Sequence, residues 1–307
     1  MTTRFEVADR ILNGPHGHLR VRVYSPSSPG THGLVWAHGG GFAAGELEMP
    51  EADWVSRAFA ERGITVVSVE YRLAPLPADG GESPDARALG GAHYPVAHEE
   101  MIFAFQWATE SGLATGPWAI GGASAGGNLA AGAALRLAHE SDVVPALAVL
   151  AYPTLQAVQD APDAVLRALL DADPDADRFG PEIVLGMYEN YLGGAVDGAE
   201  VYAIPGTATT AQLAGFPATI MINGEADELR VSGEAFALAL AEAGVEIDVS
   251  TEPDTTHGHL NRPEEAAATA SIERFAERIH RADLSHPPRR MTRSHVESTR
   301  TAPTQEG

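Results

Sequence analysis

The sequence lacks two residue types on which much enzyme chemistry depends. None of its 307 residues is cysteine, which excludes disulfides, thiolate metal sites and a cysteine nucleophile. None is lysine, and all 20 basic residues are arginine, which excludes a pyridoxal Schiff base, a phosphate-loop lysine and a serine–lysine amidase pair. Any chemistry of the side chains must therefore rest mainly on hydroxyl, imidazole and carboxyl groups.

Positive charge and long apolar runs are also scarce. The formal net charge is −22, which argues against nucleic-acid binding, because such proteins gain affinity from basic residues placed against phosphates. No apolar stretch approaches the roughly 20 residues of a membrane helix, and residues 1–10 contain no apolar core of a signal peptide. We therefore expect a cytoplasmic protein with neither a nucleic-acid nor a membrane partner. A homodimer stays open.

Strand-like and helix-like segments alternate along the chain. This alternation predicts an α/β fold, with a mostly parallel central sheet and helices on both of its faces, over residues 1–282. The pattern becomes acidic and irregular at about 156–199, which we interpret as a small inserted helical cap. Residues 283–307 carry few apolar side chains, so we expect a disordered tail.

A candidate nucleophile lies between a predicted strand at 118–121 and a predicted helix that begins at about 127. The sequence there is GASAG, at 122–126. A serine on such a tight turn needs strained backbone angles and small neighbours, and the following helix directs its positive end toward a developing oxyanion. The pattern predicts Ser124 as a nucleophile. A glycine-rich turn without a catalytic role is the alternative.

A second glycine-rich run, HGGGF at 38–42, directly follows a predicted strand at 34–37. Consecutive glycines let backbone N–H groups approach a substrate oxygen without interference from side chains. Together with the N–H of Ala125, the residue after the nucleophile, such a run forms the oxyanion hole of lipases and esterases. The order of the two motifs favours this interpretation over a flexible loop.

The acid of a catalytic triad is expected after a late strand. The sequence GEADELR at 224–230 follows a predicted strand at 218–222. Asp227 is our predicted acid, and Glu225 and Glu228 are its rivals, since each could instead be a solvated loop charge.

The base is expected after the last strand, where the sequence THGH occurs at 256–259. His257 precedes a glycine and is the predicted base, with His259 as the alternative. The chain order of serine, acid and histidine matches that of the α/β-hydrolases. Other histidines, such as His98 and His139, show no metal-ligand spacing, so we predict no metal site and expect these side chains at the surface.

These motifs occur together with EYRLAP at 70–75, and GASAG extends to GASAGGNLA. In combination they resemble the bacterial hormone-sensitive-lipase-like carboxylesterases over about residues 4–280. The resemblance implies an α/β-hydrolase that cleaves small or short-acyl esters without a metal or organic cofactor. The residues that it implies are Ser124, Asp227 and His257 as the triad, and Gly40, Gly41 and Ala125 as donors to the oxyanion.

The sequence departs from the usual family pattern around the acid and the base. The family acid motif usually reads Asp-Pro-Leu-Arg-Asp, whereas Glu228 and Val231 here replace the proline and the final aspartate, and His259 stands where phenylalanine is common. These departures concern substrate preference rather than reaction type. Hydrolysis of an amide, formamide or lactone on the same triad stays open, as does a non-catalytic ligand-binding or regulatory role.

Two segments are predicted to shape the substrate site. The cap at 156–199 has apolar and aromatic side chains at helical spacing, with ordinary packing on the core as the alternative. The predicted substrate-binding residues are Phe42, Met187, Tyr188 and Tyr191. The residues at 76–93 form a glycine- and proline-rich loop that is long for a compact domain.

We interpret this loop as a lid. Strand-like residues begin by Phe5, so the helices that family members place ahead of the first strand are expected to be absent. The loop at 76–93 would then cover the site in their place. A solvated surface loop without a role is the alternative.

Overall fold

In the computed structural model, which describes residues 5–27, 30–75 and 91–282, eight strands form a single sheet. Their order across the sheet is β1-β2-β4-β3-β5-β6-β7-β8. The pairs β1–β2 and β2–β4 are antiparallel, and all the other pairs are parallel. The strands are β1 Phe5–Gly14, β2 Gly17–Pro26, β3 His32–Ala37, β4 Ile64–Val69, β5 Trp118–Ala123, β6 Leu147–Ala151, β7 Thr219–Ala226 and β8 Ile247–Thr256.

Helices cover both faces of this sheet. The described α-helices are α1 Asp53–Glu61, α2 Val96–Glu110, α3 Ala125–Glu140, α4 Ala164–Ala172, α5 Pro181–Leu192, α6 Thr210–Leu213, α7 Arg230–Glu242 and α8 Ala266–His280. One apolar core includes side chains of α2, α3 and α7, and a second, on the other face, includes side chains of α1 and α8. The predicted α/β-hydrolase architecture is confirmed.

The central strands are buried along their whole length. Every residue of β4, β5 and β6 is buried, because helices lie above and below them. Parallel strands that are covered on both faces have nearly continuous apolar sequences rather than alternating ones. This explains the β-branched run of β4 and the small apolar residues of β5 and β6.

Three local predictions differ from the structure. The helix after Ser124 begins at Ala125 rather than at 127, which brings its first N–H groups next to the serine. The helical spacing of residues 51–62 predicts a helix from Glu51, whereas the helix begins at Asp53, so Glu51 lies in the preceding turn. His98 was expected at the surface, and this was wrong: it is buried, because it shares a face of α2 with Met101.

The segment 156–199 contains α4 and α5. Helix α4 begins after Asp163, whose side chain accepts a hydrogen bond from the Leu166 N–H at 2.8 Å. Helix α5 begins with Pro181 and is followed by Gly193, which adopts the left-handed conformation (φ 72°) that favours glycine. Whether this segment functions as a cap stays a prediction.

The proposed lid loop lies outside the described residues except for its last three, 91–93. Where the chain re-enters the structure, the Ala92 N–H donates to the Leu73 carbonyl at 3.0 Å and His93 Nδ1 lies 2.8 Å from the Asn190 carbonyl oxygen. The predicted tail at 283–307 is also outside the described residues. Within them, no helix is both long and apolar enough to cross a membrane.

Candidate active site

The candidate catalytic residues lie at the carboxyl ends of parallel strands. Ser124 directly follows β5, Asp227 directly follows β7, and His257 directly follows β8. The HGGGF run, here called the oxyanion loop (38–42), follows β3. Sites in open α/β sheets form at this edge, where the loops that leave neighbouring strands meet.

The turn at Ser124 is strained. Its backbone has φ 52° and ψ −119°, an arrangement that non-glycine residues rarely adopt. The surrounding backbone holds it in place, because the Ser124 N–H donates to the Ala151 carbonyl at 2.9 Å and the Ser124 carbonyl accepts from the Asn128 N–H at 3.1 Å. Gly126 is required here, since a Cβ at this position would collide with the carbonyl oxygens of Ala37 and His38 at the end of β3.

The structure brings the three predicted triad residues into one hydrogen-bonded chain. His257 Nε2 lies 2.9 Å from Ser124 Oγ, and His257 Nδ1 lies 2.7 Å from Asp227 Oδ2. Asp227 is fully buried, and its Oδ1 accepts a hydrogen bond from the Leu229 N–H at 3.0 Å. The carboxylate therefore accepts a hydrogen bond from the Nδ1–H of the imidazole, which leaves Nε2 free to accept the serine proton.

The oxyanion loop passes close to the serine. A Cβ on Gly39 would lie 3.0 Å from the Cβ of Ser124. Gly40 has φ 119°, and its carbonyl accepts hydrogen bonds from the N–H groups of Ala43 and Ala44, so the loop turns back on itself.

The backbone N–H groups predicted to bind an oxyanion are available. Across the described parts of the chain, the N–H groups of Gly40, Gly41 and Ala125 have no hydrogen-bond acceptor in the protein. Three unused donors beside a nucleophile are the arrangement that stabilises a tetrahedral oxyanion.

The three rival residues have other partners. Glu225 accepts a hydrogen bond from the Asp254 N–H at 2.9 Å, and Glu228 accepts one from the Phe179 N–H at 2.6 Å. Burial raises the pKa of Glu228. His259 Nε2 lies 2.9 Å from Ser271 Oγ, and burial lowers the pKa of His259 to about 3. The structure brings none of these three side chains to Ser124.

The four predicted substrate-binding residues divide into two groups. Phe42, Tyr188 and Tyr191 are fully buried: Phe42 stacks on Tyr191 with ring centroids 4.2 Å apart, and the Tyr188 hydroxyl donates to Asn128 Oδ1 at 2.9 Å. A side chain without exposed surface reaches a substrate only if its neighbours move, so these three pack beneath the site in this structure.

Met187 is the partly exposed member of the four. Its Sδ would lie 3.3 Å from a Cβ placed on Gly41, so the thioether of helix α5 borders the oxyanion loop directly. This position is suited to contact with whatever group lies above the loop.

Sequence reasoning did not identify three other residues of the site. The Phe179 ring lies edge-on to the His257 ring, with centroids 4.5 Å apart, and the Tyr152 ring approaches it at 5.0 Å from another direction. Glu51 accepts a hydrogen bond from the Gly39 N–H at 2.5 Å. An aromatic residue directly after the buried strand β6 was the one local indication for Tyr152, whereas Glu51 lies in a glutamate-rich stretch with nothing to distinguish it.

A family model described as "alpha/beta hydrolase fold" matches residues 34–79 and 82–261. This chain belongs to the hormone-sensitive-lipase-like family of α/β-hydrolases. This family member is 34% identical over 271 residues to the carboxylic ester hydrolase LipN of Mycobacterium tuberculosis, covering 83% of this chain and 65% of LipN, slightly under two thirds. It is 31% identical over 252 residues to the carboxylesterase NlhH of the same organism, covering 79% of this chain and 72% of NlhH.

Solved structures agree with this assignment. The hyperthermophilic esterase from the archaeon Pyrobaculum calidifontis superposes with a TM-score of 0.75 at 29% identity. The superposition covers 89% of this chain and 82% of the esterase. The likeness therefore extends over most of the chain.

Proposed function

We propose that this chain is a serine carboxylesterase that hydrolyses small carboxylic esters with short acyl groups. The observation that carries the proposal is the continuous chain from Asp227 through His257 to Ser124, beside three N–H groups that have no acceptor among the described residues. A nucleophile, a base, an orienting acid and an oxyanion hole are the groups that acyl transfer needs.

In the first half of the reaction, Ser124 Oγ attacks the ester carbonyl carbon while its proton passes to His257 Nε2. Asp227 keeps the imidazole oriented and stabilises the imidazolium without taking the proton. The carbonyl oxygen becomes an oxyanion and accepts hydrogen bonds from the oxyanion loop and Ala125. Loss of one such donor typically costs about 2.7–4 kcal/mol of transition-state stabilisation.

The intermediate then collapses. The bond between the carbonyl carbon and the alcohol oxygen breaks, and His257 gives its proton to the departing alcohol, which leaves an acyl group on Ser124. A water molecule gives a proton to His257 as it attacks this acyl-enzyme. Release of the acid returns the proton from His257 to the serine, so the protein is unchanged after each cycle.

The size of the acyl group is set, in this proposal, by the segment 156–199 acting as a cap. Met187 borders the oxyanion loop, and Phe179 borders His257. The Phe179 N–H donates a hydrogen bond to Glu228, the residue after Asp227, and this bond helps to fix the position of Phe179. Two large side chains so close to the reacting atoms favour a short acyl group over a long one.

The substrate in this proposal is a small molecule, and the protein needs no macromolecular partner for the reaction. The cytoplasmic location stays a prediction, and a homodimer stays open. Cell fractionation and sedimentation of the purified protein would test them.

The proposal is tested with p-nitrophenyl acetate, butyrate and hexanoate, alongside p-nitroacetanilide and a small lactone. We expect turnover of the esters, with acetate or butyrate preferred, and turnover of the anilide that is lower by orders of magnitude. A fluorophosphonate should label the protein once, and peptide mass spectrometry should locate the adduct on Ser124.

Three results would contradict the proposal. Folded protein that neither turns over the esters nor accepts the label would favour a ligand-binding role. Faster turnover of the anilide or lactone than of every ester would assign another acyl bond to the same triad. An adduct on any other serine would move the nucleophile.

A further inference from the structure

Glu51 is a buried carboxylate next to the candidate site that the mechanism above does not use. It is 2% exposed and lies in the turn between the oxyanion loop and α1. Three neutral donors surround its oxygens: the Gly39 N–H at 2.5 Å from Oε2, and the Tyr152 hydroxyl and Asn261 Nδ2 at 2.6 and 3.1 Å from Oε1. Burial raises the pKa of Glu51. A buried carboxylate is costly unless donors compensate it, as they do here.

The three donors belong to three different parts of the site. Gly39 immediately precedes the two glycines proposed to bind the oxyanion. Tyr152 directly follows β6, and Asn261 lies in the short helical turn His259–Asn261, just after the proposed base. Glu51 and Asn261 are joined a second time, because the Glu51 N–H donates to Asn261 Oδ1 at 3.2 Å. The carboxylate of Glu51 thus links the oxyanion loop to the turn His259–Asn261, which directly follows the segment of the proposed base.

Tyr152 extends this link to the imidazole itself. Its backbone has φ 33°, which is strained for a residue with a side chain, and such strain persists where neighbouring contacts hold it. Its ring lies edge-on to His257, with centroids 5.0 Å apart. The hydroxyl that donates to Glu51 therefore fixes a ring that packs against the proposed base.

We propose that Glu51 is a positioning residue, whose carboxylate sets the distance between the oxyanion loop and His257. The inference rests on the ester hydrolysis proposed above. Negative charge forms at the loop while positive charge forms on the imidazole, so the two groups must keep their relative position as the tetrahedral intermediate forms. A displacement of about 1 Å in such an arrangement can cost about 100-fold in rate.

The decisive variant is Glu51→Gln, which keeps the shape of the side chain. A glutamine has one acceptor oxygen where glutamate has two, so at least one of the three donors loses its acceptor whichever way the amide turns. We expect kcat on p-nitrophenyl acetate to fall about 10-fold or more while KM changes less than about two-fold, because the positioning matters mainly in the transition state. Tyr152→Phe, which removes one hydroxyl, should lower kcat by about three-fold or more in the same manner.

A pair of inhibitors separates positioning from general loosening of the fold. A trifluoromethyl ketone forms a hemiketal with Ser124 and places an oxyanion in the hole, whereas the matching methyl ketone binds mainly as a ground-state analogue. In Glu51→Gln, the inhibition constant of the trifluoromethyl ketone should rise by the factor by which kcat/KM falls. That of the methyl ketone should stay within about two-fold.

The matched control is Glu48→Gln. Glu48 lies three residues earlier, is half exposed, and pairs with Arg20 and Arg22 of strand β2. This variant should retain the wild-type kcat and the wild-type affinity for both ketones.

The inference is overturned if folded Glu51→Gln keeps kcat within two-fold of wild type, or if its kcat falls while the trifluoromethyl ketone binds as before. If Glu51→Gln does not fold, Tyr152→Phe decides by the same two readouts. A failure of the proposed function looks different, because the wild-type protein itself would then neither turn over esters nor take the fluorophosphonate label.

Discussion

The described part of the chain contains two clusters of serine, histidine and acid whose histidines are only two residues apart. The first consists of Ser124, His257 and Asp227. The second, here called the buried cluster, consists of Ser271, His259 and Glu252, to which Arg274 is added. Tyr152 lies between them, edge-on to both imidazoles at 5.0 and 4.9 Å. A serine, a histidine and an acid thus occur together twice, with different hydrogen-bond connections.

The order of the hydrogen bonds distinguishes the two clusters. In the first, the acid bonds to the histidine and the histidine bonds to the serine. In the buried cluster, the Ser271 hydroxyl donates to Glu252 at 2.5 Å, so His259 Nε2 must carry a proton and donate to Ser271 Oγ. A histidine that already carries a proton on this nitrogen cannot take the serine proton. Arg274 also neutralises the acid.

The surroundings differ as well. Ser124 lies on a strained turn, next to backbone N–H groups that have no acceptor among the described residues, whereas Ser271 lies inside helix α8, where the helix itself takes up the backbone groups. His259 Nδ1 is buried without a partner in the described structure. The two clusters therefore contain similar residue types but differ in connectivity and in the presence of nearby oxyanion donors.

The largest expected difference between the clusters concerns the two serines. Ser124→Ala should reduce p-nitrophenyl acetate turnover by well over about 100-fold, because loss of a triad member costs orders of magnitude. Ser271→Ala should retain most of the activity, although the protein should melt at a lower temperature. Steady-state kinetics on folded protein checks both variants. Ser124→Ala activity above about one hundredth of wild type would contradict the assignment.

The histidines provide the second test. His257→Ala should be about as damaging as loss of Ser124, since residues of one catalytic unit have non-additive effects. His259→Ala should keep most of the activity when assayed well below its melting temperature. If the two variants gave reversed results, the base would be His259, and the roles assigned above to the two clusters would be wrong.

The third test measures stability rather than rate. Arg274→Met leaves the carboxylate of Glu252, which is 5% exposed, without its cation. We expect the free energy of unfolding to fall by about 1–3 kcal/mol, with kcat unchanged at 25 °C. Arg281→Met, directly after the same helix, breaks the exposed pair with Glu277 and should cost less than about 0.5 kcal/mol. Urea unfolding of the three proteins decides, and equal stabilities would show that the buried cluster is not structural.

The smallest expected effect concerns Met187, which borders the oxyanion loop beside the first cluster. Met187→Ala should widen the space above Gly41 and raise the hexanoate-to-acetate ratio of kcat/KM by about three-fold or more. Ile183→Ala is the control, because Ile183 is exposed on the same helix α5. Equal scaling of both rates in Met187→Ala would favour ordinary packing of this helix over a role in substrate selection.

Much of the architecture was predictable from local patterns. Buried parallel strands leave apolar runs, and the glycine-rich turns around Ser124 and after β3 are required by close backbone approach, so both are visible in the sequence. Helix boundaries were less predictable, as the two-residue shifts at α1 and α3 show. They depend on which N–H groups the neighbouring loops leave without partners.

The sequence by itself determined the sheet of buried strands, the serine turn, the glycine-rich loop and the order of serine, acid and histidine. Each motif lies within a few adjacent residues, and the order of the motifs follows from their positions along the chain. Only the tertiary structure decided which histidine meets Asp227, and that Phe42, Tyr188 and Tyr191 are buried while Met187 borders the loop. It also decided that Glu51 bonds to Tyr152 and Asn261, which lie 101 and 210 residues further along the chain. Such contacts depend on how distant segments pack together, and no local pattern of residues records that.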